Sequence, residues 1–447
     1  MGMHSFRYRN GRLFCEGVPV GALAAQHGTP LYIYSRRTLT DHFARLEAAL
    51  RPLDHRICFA MKANSNLAVL RALANLGSGF DIVGAGELGR VIAAGGDPRA
   101  CVFAGVGKRE EEIRFALRQG IYCFNAESEP ELARITRVAA RLKKIAPVAV
   151  RVNPDVDAHT HAKITTGTYE NKFGIPLEQV EGIYARGGKW KNLRWRGVQM
   201  HIGSQLTQVQ PFVMAVKKVL PLVAALAARH PLEFFSIGGG LGIVYDPALA
   251  SGSPGWWSRP AAKNILTPAI YAASLIPLLQ PLELKILIEP GRFIAGNAGI
   301  LVTRVEYVKK TGRKNFIIVD AGMNDLIRPN FYDAYHEIVP VKQLGGRLIS
   351  SDVVGPICES ADCFCKDRPL PAVAEGDLLA LLSAGAYGFV MASNYNGRAL
   401  AAEVLVDGTR SAVARRRQRV EELWAGESIP AWLRRANPPS RERALRR

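Results

Sequence analysis

Four short motifs carry the residues that could do chemistry. FAMKAN sets Lys62 at the end of an apolar run, and HIGSQ offers His201, Gly203, Ser204 and Gln205. GGGLG places Gly238, Gly239, Gly240 and Gly242 together, and EPGR brings Glu289, Pro290, Gly291 and Arg292. A lysine in a poorly solvated pocket has a lowered pKa and can condense with an aldehyde. Glycines and a serine at loop starts expose backbone N–H groups to a phosphate. An acid can hold a protonated pyridine nitrogen, and an imidazole can lie flat against a ring. Together these are the parts of a pyridoxal 5′-phosphate site. Singly, each motif has a plainer reading: an ion-paired lysine, a satisfied histidine, a tight turn, a turn with a surface arginine. Their joint position decides between the two.

That position comes from the elements around them. Short apolar segments at 57–61, 80–83, 101–104, 121–124, 147–152, 195–201, 233–237 and 284–288 alternate with helical spacing, for example at 66–76, 87–94, 110–119 and 129–144. Eight strand–helix alternations predict a (β/α)8 barrel, an α/β fold whose active-site residues gather where strands end. All four motifs fall at such ends. Two connections, 155–173 and 245–263, are long enough to be functional or mobile, and SGSPGWWSRP in the second reads as a flexible flap. After Arg292, strand-like runs at 299–309, 316–320, 336–340, 378–382 and 402–406 predict a separate β-rich, Greek-key-like domain. The expected organisation is an N-terminal segment 1–45 packing with the β domain, a cofactor-binding barrel 46–292, the β domain 293–410 and a basic tail 411–447. The tail is expected to begin as a charged helix, RRRQRVEELW, and to end disordered.

Composition narrows the remaining classes. The chain has 447 residues, 48% hydrophobic and 22% charged, as in an ordinary globular protein. The longest apolar run, near 219–228, is interrupted by Pro221, so no membrane span is expected, and the polar N-terminus lacks a signal-peptide core. Seven scattered cysteines suggest no disulfide framework and place the chain in the cytoplasm. Cys358, Cys363 and Cys365 cluster without a fourth ligand, so no metal is expected. The net charge of +19 invites a nucleic-acid reading. Residues 411–447 supply +6 of it from ten Arg and four Glu, and the rest is spread without a recognition motif, so nucleic acid is not the expected partner.

FAMKAN, HIGSQ, GGGLGI and EPGR are similar to the motif set of the alanine-racemase-like group of pyridoxal-phosphate enzymes. VDAGMNDLIRPNFYDAYHEI, GPICESADCF and GAYGFVMASNYNGR in the second half resemble the diaminopimelate decarboxylase family, and the resemblance runs from about residue 30 to about 423. It implies decarboxylation of meso-2,6-diaminopimelate to L-lysine by a homodimer with shared active sites. It implies that Lys62 carries the cofactor, His201 stacks on its ring, Ser204, Gly240, Gly291 and Arg292 hold the phosphate beside Pro290, and Glu289 pairs with the ring nitrogen. Arg292, Arg328 and Tyr332 are then expected at the distal carboxylate, Glu359 at the distal ammonium, and Tyr387 against both cofactor and substrate. Cys358 is expected to deliver a proton to the product carbon, with Lys62 as the competing donor, and the CES segment to come from the partner subunit. Gly84-Ala85 and Met61 depart from the common pattern at positions without a chemical role. Rival readings are an ornithine, arginine or carboxynorspermidine decarboxylase, a racemase, or a non-catalytic cofactor carrier. Arg328 with Tyr332, and Cys358-Glu359-Ser360, separate the related enzymes from the expected one, and a carrier would need only the barrel, whereas this chain continues through a second domain bearing candidate substrate groups.

Overall fold

A computed structural model describes residues 3–156, 172–263 and 265–434. Most of the 155–173 connection and the last part of the tail therefore lie outside the described residues. Eight parallel strands follow one another as His55–Ala60, Gly79–Ile82, Cys101–Phe103, Cys123–Ala126, Ala146–Asn153, Leu193–Met200, Phe234–Ser236 and Lys285–Ile288. The eighth pairs with the first through Ile288 and Ile57, and the fourth with the fifth through Phe124 and Val148, so the sheet closes on itself. These are the eight segments expected from the apolar alternation.

Side chains pointing inward explain why the barrel holds a site at one end. A lower interior layer is apolar, with Cys58, Val102, Cys123, Ala149, Phe234 and Leu287 packed together. One alternation further along the strands come Ala60, Asp81, Asn125, Arg151, Gln199, Ser236 and Glu289, a set dominated by polar groups. The outer faces pack on the helices, whose starts are fixed locally. Asn66 caps Leu67–Ala74 and Ser128 caps Glu129–Arg141, each accepting a backbone N–H with its side chain. Helix Arg36–Leu50 packs against Leu67–Ala74 and Pro268–Leu279, so the helical ring begins before residue 46.

One ring helix, Gln210–Ala227, is the only one among the described residues long and apolar enough to cross a membrane. It runs through Pro221 and carries Lys217 and Lys218, and it buries Phe212, Val216, Val219 and Val223 against the barrel.

The second domain is a nine-stranded sheet. Its main order is Cys363–Pro371, Leu348–Val354, Asn315–Val319, Gly299–Lys310, Leu31–Ser35, Ala402–Asp407 and Arg410–Arg415, with Leu378–Leu381 joining Gly299–Lys310 to Ile338–Pro340. Three of these strands escape the sequence reading. Leu348–Val354 and Cys363–Pro371 form an outer pair mixing charged, polar and proline residues with apolar ones, and Arg410–Arg415 is an exposed edge. The N-terminal strand Leu31–Ser35 lies in the middle, antiparallel to Gly299–Lys310 and parallel to Ala402–Asp407, and all five of its residues are buried.

Two segments differ from expectation. The basic run after Arg415 is not a helix. Arg415 pairs with Glu403, and Arg417 donates to the carbonyls of His27 and Pro30, which draws the run along the β domain and leaves only a short turn at Val420–Trp424. The expected flap at 245–263 is packed. It forms the short helical turns Ala248–Ser251 and Pro254–Ser258, buries Trp256 with Val244 and Ala262, and ties Trp257 Nε1 to the Ser251 carbonyl at 2.7 Å. Its tryptophans supply apolar surface to bury, and that outweighs the turn-forming glycines and prolines beside them.

Tyr34 donates to Glu403 Oε1 at 2.7 Å inside the sheet, where both groups are buried. Tyr34→Phe is expected to lower stability by about 1–2 kcal/mol, read as a fall in the urea midpoint with unchanged slope.

Candidate active site

The polar end of the barrel opens into a cavity of about 670 Å³. The first strand ends at Ala60, and a single tight turn, Met61–Ala63, carries Lys62 into it. The flanks of this turn are tied to the second domain. Tyr387 N–H donates to the Ala63 carbonyl at 2.7 Å, and Asn64 Nδ2 donates to the Gly385 carbonyl at 3.0 Å. Lys62 Nζ reaches Asp81 Oδ2 at 3.1 Å, from the neighbouring strand end. The lysine side chain is 42% exposed, and the space it faces is the cavity. Burial pulls its pKa down, but the charges of Asp81, Tyr387 and Glu289 outweigh burial and raise it above the ordinary value. This overturns the expected lowering: the low-solvation pocket contains a carboxylate, so the group is held as ammonium.

Glu289 ends the eighth strand and is buried. Its Oε1 accepts from Ser236 Oγ at 2.7 Å and its Oε2 from Gln199 Nε2 at 3.0 Å. Burial, with the Asp81 charge added, pushes its pKa up to about 7 despite these hydrogen bonds. His201 is driven well below its usual pKa by burial and by the charges of Arg151 and Lys62, so its imidazole is neutral. Its Nδ1 accepts the Gly239 N–H at 3.2 Å, which puts the ring proton on Nε2. The glycines are sterically required. A Cβ on Gly239 would lie 2.1 Å from the Glu289 carbonyl oxygen, and one on Gly240, at φ +114°, would lie 2.5 Å from that of Gly203. Pro290 accepts the Ala60 N–H and so fixes the EPGR turn against the Lys62 turn.

Arg292 and Arg328 line the cavity and are both buried, yet neither meets a carboxylate among the described residues. Arg292 donates to Ser204 Oγ at 3.3 Å and to the Tyr245 hydroxyl. Arg328 Nη1 donates to His336 Nε2 at 2.9 Å. Tyr387, held at φ +56°, lies under Arg292 with 4.8 Å between guanidinium carbon and ring centroid. Tyr332 also lines the cavity. The structure thus brings together Lys62, His201, Ser204, Gly240, Glu289, Gly291, Arg292, Arg328, Tyr332 and Tyr387.

Cys358 and Glu359 are not brought to this cavity. Both are exposed. Cys358 N–H donates to Asn396 Oδ1 at 2.8 Å, and Glu359 accepts from the Tyr395 hydroxyl. Sequence reasoning gave Asp81 only a supporting place behind the site, whereas it touches Lys62 directly, and it missed Arg151 and Tyr245. Asp81 and Arg151 are charged residues inside apolar strand runs, the same signal that singled out Lys62, and Tyr245 opens the long connection after GGGLG. Among the described residues no His, Cys, Asp or Glu cluster could hold a metal ion.

Pyridoxal phosphate fits this donor set. Among the described residues, Asp81 Oδ1 and the Nε atoms of Arg292 and Arg328 are buried without partners and Glu289 has no ion-pair partner, and Gly239, Gly240 and Gly291 line the cavity with backbone that an anion can meet. The fold and cavity are those of a barrel protein built to hold pyridoxal phosphate. Residues 36–296 match the family described as pyridoxal-dependent decarboxylase, pyridoxal binding domain. The diaminopimelate decarboxylase of Pseudomonas aeruginosa is 50% identical over 96% of this chain and 99% of its own, and that of Vibrio cholerae is 48% identical over the same shares. Among crystal structures, the diaminopimelate decarboxylase of Helicobacter pylori complexed with L-lysine is 39% identical, with a TM-score of 0.83 over 90% of this chain and 98% of that one. The enzyme from M. jannaschii in co-complex with L-lysine is 34% identical, with a TM-score of 0.88 over 97% and 100%. The chain belongs to the diaminopimelate decarboxylase family.

In protein stripped of cofactor, the raised pKa of Glu289 has a thermodynamic consequence. Between its ordinary value of 4.5 and about 7, the folded state keeps a proton that the unfolded state has lost. Stability is therefore expected to fall as pH rises through that window. Denaturation midpoints measured across it should decline for the wild type and less steeply for Glu289→Gln, in which the raised carboxyls of Glu87 and Asp325 still contribute.

Proposed function

We propose that the protein decarboxylates meso-2,6-diaminopimelate at its D-configured carbon, giving CO2 and L-lysine, as a cytoplasmic homodimer in which each subunit completes the other's site. The observation that carries this reading is the pair of buried guanidinium groups, Arg292 and Arg328, in the wall of a cavity that also holds Lys62 and Glu289. Diaminopimelate differs from a simple diamino acid in having a second amino-acid head. Its distal carboxylate matches two arginines, whose planar forks bind carboxylate bidentately. Ornithine has a purely cationic distal end, which the same two charges repel.

Bound in the cavity, pyridoxal 5′-phosphate supplies an aldehyde for the substrate amine and a pyridine ring that takes up the electron pair left by CO2. Lys62 would hold that aldehyde, and its ammonium, paired with Asp81, keeps a proton beside the place of the reacting amine. Glu289 serves the ring nitrogen: a carboxyl poised near 7 shares its proton readily and becomes the counter-anion of a cationic ring. His201, neutral in the cavity wall, would face the ring and add no competing charge. Ser204, Gly240, Gly291 and the Arg292 backbone hold the phosphate. Tyr332 and Tyr387 border the substrate space.

Cys358 delivers the proton to the α-carbon, and Glu359 accepts the distal ammonium. Their exposure away from their own cavity supports a second subunit as the place where they act. The seven free cysteines support a reducing, cytoplasmic setting.

A product assay with meso-diaminopimelate should yield CO2 and L-lysine, and Lys62→Ala should abolish both. Ornithine turnover with no activity on diaminopimelate would overturn the substrate assignment. Lys62→Ala and Cys358→Ala proteins, each inactive, should recover about a quarter of wild-type activity once subunits are mixed, because each mixed dimer has one intact shared site. No recovery, with exchange verified by mass, would place Cys358 outside the shared site.

A further inference from the structure

Two guanidinium groups in one desolvated wall repel each other, and each keeps its geometry only if its donors are used. The usual solution is a carboxylate between them. Here the group between them is Tyr245. Its hydroxyl accepts from Arg292, and its ring centroid lies 5.8 Å from the Arg292 guanidinium carbon and 5.1 Å from that of Arg328. One side chain thus offers an oxygen to the first arginine and a π face to both.

The other support is also uncharged. His336 Nδ1 donates to the Leu382 carbonyl at 2.8 Å, which leaves Nε2 as the acceptor for Arg328. Burial and the Arg328 charge push the His336 pKa down to about 3, so it stays neutral at working pH. The His336 ring stands edge-on to Tyr245 at 5.4 Å, joining the two supports. Behind Tyr245, Asn297 Nδ2 donates to the Val244 carbonyl at 2.9 Å and anchors the segment. Burial raises the Tyr245 hydroxyl pKa, but the two guanidinium charges outweigh it and bring it below the ordinary value. As a phenol and a neutral imidazole, these partners consume donors without supplying a carboxylate's full charge.

We propose that Tyr245, with His336 behind it, is a positioning residue that fixes Arg292 and Arg328 as one carboxylate-binding pair with their charges uncancelled, and thereby sets selectivity for a distal carboxylate. This rests on reading the cavity as a diaminopimelate site. A carboxylate in place of Tyr245 would hold the arginines as firmly but neutralise them. An aliphatic residue would leave Arg292 with only the longer hydrogen bond to Ser204.

The test compares ligands that differ only in the distal carboxylate. Tyr245→Phe keeps the ring and removes the oxygen. It is expected to raise KM for meso-diaminopimelate about tenfold with kcat within about twofold, since one hydrogen bond to a charged group is lost. Inhibition by L-lysine, which retains that carboxylate, should weaken by the same factor, whereas inhibition by cadaverine, which lacks it, should not change. His336→Leu should give the same pattern, and His336→Gln, which keeps an acceptor for Arg328, should restore most of the lysine affinity; this pair decides the matter if Tyr245→Phe does not fold. Equal weakening of lysine and cadaverine, or an unchanged KM, would overturn the proposal. Lysine binding can also be measured by calorimetry without turnover. If the wild type fails to act on diaminopimelate while Tyr245→Phe still loses lysine selectively, the substrate reading falls and the positioning role stands.

Discussion

Charge held out of water without a matching charge is the constraint on which this molecule turns. Among the described residues Glu289 has no ion-pair partner, and Arg292 and Arg328 have no carboxylate. Removing one partner from a buried ion pair typically costs about 3–5 kcal/mol, so a chain that leaves such groups uncompensated must hold them by other means. It does so with neutral hydrogen-bond partners: Ser236 and Gln199 for the acid, Tyr245, Ser204 and His336 for the arginines. What stays unsatisfied is net charge, and its pattern is the negative image of a ligand with a cationic ring nitrogen and an anionic distal end.

The frame that keeps these groups in place is shared by both domains. The Lys62 turn is bonded on one side to Pro290 through Ala60, and on the other to Gly385 and Tyr387 of the β domain. Gly385 in turn bonds back to Gly296, just beyond the EPGR turn. The domain junction is therefore built into the wall of the site. Tyr387 pays for its place with a left-handed backbone at φ +56°, a conformation that a tyrosine adopts only where its surroundings fix it.

Much of this was legible in the sequence because it obeyed short-range rules. The eight strands are apolar runs of the right length, and the four motifs sit at their ends, so Lys62, His201, the glycines and Glu289 were readable as one group. Asp81 was not, because its function depends on strand register: only the pairing of Ala60 with Asp81 puts the carboxylate beside the lysine. That pairing also reversed the direction of the lysine pKa. Tyr245 and His336 lie far apart in sequence and meet only through tertiary packing. The 245–263 connection misled because glycine and proline signal turns whether or not the turns are packed, and its two tryptophans decided that they are.

The strand Leu31–Ser35 has a consequence for how the protein is made. It leaves the ribosome early, but both of its neighbours, Gly299–Lys310 and Ala402–Asp407, are synthesised hundreds of residues later. Until then a strand that is wholly buried in the finished protein has two unsatisfied edges and nowhere native to go. The barrel encoded between them can close in the meantime, so the nascent chain passes through a stage in which a finished catalytic scaffold trails an unpaired, adhesive strand. Its second native edge is filled only when Ala402–Asp407 has been made.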